Sequence, residues 1–103
     1  MEAVLDVLVV DDEEPVRKVL LRVLRLYGYR ADAVATLAEA RERGSEARML
    51  LADRKLPDGD GETLRAEYPH VVTISGKAPC DVMKPFTNAK ILAIVAATLA
   101  GEM

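Results

Sequence analysis

The sequence predicts an α/β fold built on a mainly parallel sheet, and three features carry this prediction. Short apolar runs alternate along the chain with stretches of helical period, which is the pattern of strands joined by helices. The apolar runs are continuous, as in strands that are buried on both faces of a sheet. Glycine, proline and helix-capping residues separate the segments and mark where each one ends.

The opening segments predict a strand followed by an amphipathic helix. Residues 5–10 form a continuous apolar run that ends at two aspartates, as expected for a buried strand. Residues 14–27 have the apolar spacing of a helix with one buried face, and Gly28 ends this helix. The residues on the predicted buried face are Val16, Val19, Leu20, Val23, Leu24 and Tyr27.

The middle of the chain repeats the order of strand and helix. Residues 30–35 predict a short strand, and Thr36 with Glu39 forms a capping box at the start of a second helix. Residues 48–52 are a third apolar run, which Asp53 closes. These segments extend the predicted parallel sheet to three strands.

The second half of the chain predicts two further strands. Residues 56–61 are rich in turn-forming residues, and residues 61–67 predict a short helix that ends before a proline. Residues 71–75 predict a fourth strand and residues 80–83 a fifth. Thr87 then caps a last helix.

The link between the fourth and fifth strands, residues 76–79, is too short for a helix. A parallel crossover ordinarily takes about a dozen residues or more. An extended link of this length reaches ~14 Å, hardly more than the ~13 Å length of a short strand. We expect a short parallel fifth strand, because Lys84-Pro85-Phe86 stands directly before a capped helix. The alternative is a hairpin, which would make this strand antiparallel and would move Lys84 to the other end of the sheet.

Length and composition indicate one globular domain. The 103 residues are 50% hydrophobic and 30% charged, with a net charge of −3. This acidic balance argues against nucleic-acid binding, and no apolar run reaches the ~18 residues that a membrane span needs. A single cysteine, Cys80, excludes a disulfide framework and is predicted to be an inert core residue. We expect a cytoplasmic protein with one domain, residues 1–103, and no output domain.

Polar residues stand where the predicted strands end. Asp11 and Asp12 follow the first strand, Asp53 follows the third, and Ser75 and Lys84 lie at the ends of the last two. In an open α/β sheet these carboxyl ends form the ligand site. Carboxylates gathered there repel one another unless a cation is bound, and hard oxygen ligands suit Mg²⁺. With an ammonium and a hydroxyl nearby, the set indicates phosphoryl transfer to a carboxylate.

These residues resemble the receiver domain of two-component response regulators. The resemblance extends in order over nearly the whole chain, and its segments are residues 9–17, Asp53 with residues 56–61, Ser75-Gly76 and Lys84-Pro85-Phe86. It implies a flavodoxin-like, doubly wound parallel sheet of five strands in the order 2-1-3-4-5. The chain is then a shortened form in which the helix between strands 4 and 5, the fourth helix of the family, is missing.

The resemblance also implies a role for each site residue. Asp53 would be the nucleophile that takes a phosphoryl group from phosphohistidine, while Lys84 and Ser75 would bind phosphoryl oxygens. The implied Mg²⁺ ligands are Asp12 directly, Asp11 directly or through water, Asp53, and the backbone carbonyl of Lys55. The partner would be a histidine kinase or a histidine phosphotransfer protein. The protein would not be an enzyme acting on a diffusible substrate, because it would catalyse only its own phosphorylation and dephosphorylation.

Two departures from the family pattern concern the output. The fourth helix is missing, and Asp81 stands where the family has an aromatic residue three positions before the lysine. The missing helix predicts an exposed apolar patch near the fourth strand, which self-association or a downstream target protein would cover.

Three other functions compete with the phospho-acceptor. A pseudo-receiver would bind proteins independently of phosphorylation; the two departures favour it, and the intact acids and Lys84 oppose it. Hydrolases with an aspartyl-phosphate intermediate generally carry an acid two residues after the nucleophile, where this chain has Lys55. A flavin-binding flavodoxin relative would have a loop rich in Ser, Thr and Gly after the first strand. Here that loop is acidic and would repel phosphate.

Overall fold

The computed structural model describes residues 3–101, and its central sheet confirms the predicted α/β fold. Five strands pair in parallel throughout, and their order across the sheet, numbered along the chain, is 2-1-3-4-5. Their bounds are Leu5–Val10 for β1, Ala31–Val34 for β2, Ala47–Asp53 for β3, Val71–Ser75 for β4 and Val82–Met83 for β5. A separate hairpin of two short strands, Lys55–Leu56 and Gly59–Asp60, follows β3.

Two of the described α-helices begin directly after the capping residues that the sequence predicts, Thr36 and Thr87. The helix bounds are Glu14–Leu26 for α1, Leu37–Arg43 for α2 and Asn88–Ala100 for α3, with short 3-10 helices at Gly44–Glu46 and Gly61–Ala66. The Thr36 hydroxyl accepts from the Glu39 N–H at 3.1 Å, and the Glu39 carboxylate accepts from the Ala35 N–H at 3.0 Å. The Thr36 cap is therefore confirmed, whereas the Glu39 carboxylate binds the N–H of Ala35, the residue before the cap, and not the Thr36 N–H of a standard capping box. None of the described helices has the length and apolar character that a bilayer span requires.

The sheet has an apolar cluster on each face, which explains the continuous apolar runs. Val7 and Val9 of β1 point to the face that α1 and α3 cover, and Leu8 and Val10 point to the face of α2. Alternate side chains of one strand therefore enter different cores. The buried face of α1 is narrower than the apolar face that the sequence predicts. Val19 is 49% exposed and Tyr27 is 65% exposed, so the predicted burial of these two side chains is wrong.

The link between β4 and β5 is extended, and it returns the chain to a parallel strand. Ile74 pairs with Val82 and Ser75 with Met83 in parallel register, which excludes the hairpin alternative. Residues 76–81, all of them described, form bends and contain no helix. β5 begins at Val82 and is therefore shorter than predicted. The link that brings the chain back to the start of this strand is correspondingly longer. Cys80 consequently lies in the link, where it is only partly buried and is not a core residue as predicted.

On the face that the missing helix would cover, a polar network lies over β4, so the predicted apolar patch is wrong at this strand, although Met83 of the neighbouring β5 is 48% exposed. Thr73 of β4 faces this side and is fully buried. The Asp81 carboxylate accepts from the Thr73 N–H at 2.8 Å and forms an ion pair with Arg65. Arg65 also donates to the Val71 carbonyl at 3.0 Å. Self-association stays a prediction, without the support of an apolar surface at this strand.

At the opposite end of the sheet, the buried Asp6 carboxylate binds two arginines, Arg30 and Arg48. It accepts from the Arg30 N–H at 2.7 Å and from the guanidinium groups of Arg30 and Arg48 at 3.1 Å each. Burial raises the pKa of Asp6, but the hydrogen bonds from the two arginines outweigh this effect and lower the pKa below its ordinary value. The ionised form is therefore favoured in the folded chain.

Replacing Asp6 with alanine is expected to lower the free energy of unfolding by about 2 kcal/mol at pH 7. Because the folded-state pKa is lowered, this contribution is present above the unfolded pKa and is lost as pH falls through the folded pKa. Urea titrations at neutral and acidic pH measure the difference between variant and wild type. Glu42→Gln, on the exposed side of α2, is the control and is expected to change stability by less than about 0.5 kcal/mol. A difference that does not shrink in acid would contradict the assignment.

Candidate functional site

The carboxyl ends of four strands meet at one cavity of about 660 Å³. Residues that the sequence places at those ends line it, together with two from the adjoining loops: Asp12, Glu13, Asp53, Lys55, Ser75 and Lys84. Asp11 lies behind this surface and is only 1% exposed. Because all five strands are parallel, their carboxyl ends share one edge, which brings these distant residues together.

Lys84 is held at the centre of the site by the register of β5. Its backbone N–H donates to the Ser75 carbonyl at 2.8 Å. Its Nζ atom lies 3.3 Å from the Asp53 Oδ2 atom, 3.5 Å from the Glu13 Oε2 atom and 3.7 Å from the Asp11 Oδ2 atom. Burial alone would lower the pKa of Lys84, but the Asp11 and Asp53 carboxylates outweigh it and raise the pKa. The ammonium is therefore charged at neutral pH.

Asp11 carries a buried oxygen atom that lacks a hydrogen-bond donor. Its Oδ1 atom accepts from the Glu13 N–H at 2.9 Å, whereas its Oδ2 atom has no hydrogen-bond partner. The Lys84 ammonium is too distant, at 3.7 Å, to supply that hydrogen bond. Burial raises the pKa of the Asp11 carboxyl, against the opposing effects of the Glu13 N–H and the Lys84 charge. Such an oxygen atom is costly to leave without a partner.

Carboxylate oxygens of Asp11, Glu13 and Asp53 all lie within 4.8 Å of one another. Asp12, the predicted direct Mg²⁺ ligand, lines the cavity but does not belong to this group, and its role stays a prediction. Glu13 is the residue that the sequence analysis missed. Four acids follow one another here, from Asp11 to Glu14, and residue type alone does not tell which side chains turn inward.

The remaining predicted residues lie at the rim of the cavity. Ser75 is partly buried, and its hydroxyl oxygen accepts from the Lys77 N–H at 3.1 Å. Lys55 follows Asp53 closely and its side chain is exposed, while its backbone N–H approaches the Asp53 Oδ1 atom at 3.5 Å. Both residues line the cavity, and their contacts to a ligand stay predictions.

Arg54 fixes the loop that follows Asp53. Its guanidinium donates to both carboxylate oxygens of Asp60, at 3.1 and 2.5 Å, and to the Pro79 carbonyl at 2.7 Å. The Asp60 carboxylate also accepts from the Glu62 N–H at 2.9 Å, which caps the 3-10 helix. Arg54 therefore connects the loop after β3 with the link before β5, on either side of the cavity.

Among the comparisons with known proteins, only the search of solved structures found proteins similar to this chain. No protein-family model matches the sequence, and no curated protein does. Among solved structures, the receiver domain of the hybrid histidine kinase CckA is 30% identical, with a TM-score of 0.73 over 91% of this chain and 98% of that one. The beryllofluoride-activated NtrC4 receiver domain dimer is 28% identical, with a TM-score of 0.82 over 95% and 98%.

A third solved structure has the same fold at lower identity. It is a CheY-like response regulator receiver domain from Methanospirillum hungatei JF-1, which is 22% identical with a TM-score of 0.82 over 97% of each chain. Domains of this family act in two-component signalling, where they interact with histidine kinases and downstream targets. The shared fold, the likeness to CckA over nearly the full length of both chains, and the acids around Asp53 lead to one conclusion. This chain belongs to the family of response regulator receiver domains.

Proposed function

We propose that the chain is a phospho-acceptor, in which Asp53 takes a phosphoryl group from the phosphohistidine of a kinase or phosphotransfer protein and the modified domain regulates a partner protein. The observation that carries this proposal is the position of the Asp53 carboxylate. It ends β3 at the cavity, and its Oδ2 atom lies 3.3 Å from the Lys84 ammonium. A nucleophile next to a fixed cation is what acceptance of an anionic group requires.

The acids around Asp53 fit a divalent cation. Three carboxylate oxygens lie within 4.8 Å of one another, and the Asp11 Oδ2 atom is buried without a hydrogen-bond donor. Hard oxygen donors of this kind are the ligands that Mg²⁺ prefers. The residues that would hold the ion are Asp11, Asp12, Asp53 and the backbone carbonyl of Lys55. A bound Mg²⁺ would supply the positive charge that offsets the carboxylates and the incoming phosphoryl group.

Each of the chain's own site residues has a separate role in the proposed phosphoryl transfer. An Asp53 carboxylate oxygen attacks phosphorus, the P–N bond of phosphohistidine breaks, and the imidazole leaves with the bonding electron pair. The Lys84 ammonium pairs with a phosphoryl oxygen, and the Ser75 hydroxyl donates to another. Water later attacks phosphorus, which releases phosphate and restores the carboxylate. The chain thus promotes reactions of its own side chain and does not turn over a diffusible substrate.

Intact-mass measurement after incubation with acetyl phosphate and Mg²⁺ tests this proposal. Wild-type protein is expected to gain the mass of one phosphoryl group, and chelation of Mg²⁺ is expected to prevent the gain. Asp53→Asn is expected to gain nothing, because the amide is not a nucleophile of comparable strength. Asp58→Asn is the matched control and is expected to behave as wild type, since Asp58 caps α2 through the Leu37 N–H at 2.8 Å. An unmodified wild-type chain would favour the pseudo-receiver, which binds proteins independently of phosphorylation.

A further inference from the structure

We propose that Glu13 is a direct ligand of the divalent cation, as a third carboxylate beside Asp11 and Asp53. This inference deepens the proposed function and rests on its cation site. Glu13 lies in the loop between β1 and α1, just before the first residue of α1. Its side chain is exposed and lines the cavity, so the carboxylate lies where a hydrated ion enters.

The backbone of the loop directs Glu13 toward the site. The Glu13 N–H donates to the Asp11 Oδ1 atom at 2.9 Å, which fixes the two residues relative to each other. The Glu13 Oε2 atom then lies 3.5 Å from the Lys84 Nζ atom. Oxygens on opposite sides of a cation are about 4.2 Å apart for Mg²⁺ and about 4.8 Å apart for Ca²⁺. The observed carboxylate oxygens span no more than 4.8 Å, so one ion can contact all three with small side-chain movements.

The neighbouring acid provides an internal comparison. Glu14 has the same side chain and directly follows Glu13, but its carboxylate pairs with Lys18 at 2.9 Å on the exposed side of α1. Of these two adjacent glutamates, only Glu13 joins the oxygens around Lys84. The placement of Glu13 is therefore specific to its position and does not follow from the acidic composition of the loop.

A second observation points to a ligand at this cluster. The Asp11 side chain is 1% exposed and its Oδ2 atom has no hydrogen-bond partner, although it lies only 3.7 Å from the Lys84 ammonium. A single lysine charge is shared among three carboxylates at 3.3, 3.5 and 3.7 Å. A further positive charge that contacts the Asp11 Oδ2 atom would satisfy this oxygen and balance the cluster.

Isothermal titration calorimetry with Mg²⁺ on the full chain tests the inference without any phosphorylation. Glu13→Gln is expected to weaken Mg²⁺ binding by about tenfold or more, since loss of even an indirect partner of a metal site costs at least about that much. Glu14→Gln removes the same charge one residue further along, at the first position of α1, and is expected to change the affinity by less than about twofold. Circular dichroism checks that both variants are folded, which we expect because both side chains are exposed.

A Lys84→Met background separates a ligand role from a role as counter-ion of the lysine. If Glu13 contacts the cation, Glu13→Gln weakens Mg²⁺ binding in this background too. The inference is overturned if Glu13→Gln binds as wild type does, if its effect vanishes with Lys84 removed, or if wild type shows no binding at millimolar Mg²⁺. Failure of the proposed function has a different signature, which is normal Mg²⁺ binding with no phosphoryl group on Asp53.

Discussion

Replacing Lys84 with methionine is expected to slow the phosphorylation of Asp53 by about 100-fold, the usual cost of removing one fixed donor from a transferring group. The Lys84 Nζ atom lies 3.3 Å from the Asp53 Oδ2 atom, so it is placed to pair with a phosphoryl group on that side chain. Methionine keeps most of the length and the apolar stem of lysine and removes the charged ammonium with its donors. The loss therefore reports on the ammonium and not on packing.

The same substitution is expected to strengthen Mg²⁺ binding, by roughly tenfold. A lysine ammonium and a divalent cation are attracted to the same carboxylates, and unit charges about 4 Å apart interact by about 4 kcal/mol at an effective dielectric constant of 20. Screening and side-chain movement reduce this repulsion, and about 1.4 kcal/mol of it corresponds to a tenfold change in affinity. Opposite changes in rate and metal affinity are diagnostic, because a misfolded variant would lose both.

Initial rates with acetyl phosphate at saturating Mg²⁺, together with calorimetry of Mg²⁺ binding, measure the two effects. Lys77→Met is the matched control, because Lys77 lines the same cavity and is exposed. Its rate is expected to stay within about threefold of wild type, in keeping with the small contribution of exposed charges. A Lys84→Met variant that is phosphorylated at the wild-type rate would remove the lysine from the proposed chemistry.

The site was predictable where position along a parallel strand decides the outcome. Asp11, Asp53, Ser75 and Lys84 follow or end apolar runs, and parallel strands present their carboxyl ends at one edge. The sheet order brings these ends together whatever the details of the loops. The parallel register of β5 was the least determined step, because the short link permitted two directions of the chain.

Side-chain direction within loops was not predictable in the same way. After β1 the chain leaves the period of the strand, so the choice between Asp12 and Glu13 depends on local turns that residue type does not encode. In the structure, the Glu13 N–H donates to the Asp11 carboxylate, and the Glu13 carboxylate lies beside those of Asp11 and Asp53. Such a hydrogen bond becomes apparent only once the loop is built.

The contacts that take the place of the missing helix could not be predicted from the sequence either. Asp81 read as a departure from the family pattern, because an acid there cannot serve as the usual aromatic residue. In the fold it lies against Thr73 and pairs with Arg65, which is sixteen residues away along the chain. A pair of opposite charges at that separation has no periodic signature, so pattern analysis predicted an exposed patch that the network closes instead.

Replacing Gly61 with alanine is expected to destabilise the fold by about 3 kcal/mol, at the upper end of the cost of overpacking a close contact. A Cβ atom at Gly61 would clash with the Asp53 backbone carbonyl and would lie 3.2 Å from the Ala52 Cβ atom. The neighbour is strand backbone, which cannot rotate away as a flexible side chain can. Gly61 is also held in place, because its N–H donates to the Arg54 carbonyl at 3.0 Å.

Gly76→Ala is the matched control for this prediction, because nothing lies within 4 Å of a Cβ atom built there. It is expected to leave stability unchanged or raise it by up to about 1 kcal/mol, since alanine restricts the unfolded chain. Urea titrations compare the two variants with wild type. The clash in Gly61→Ala falls on the backbone of the phospho-acceptor itself, so any folded fraction is also expected to accept phosphoryl groups more slowly. Equal stability of the two variants would mean that the loop after Asp53 can move aside, and the predicted cost of the clash with the Asp53 carbonyl would then be wrong.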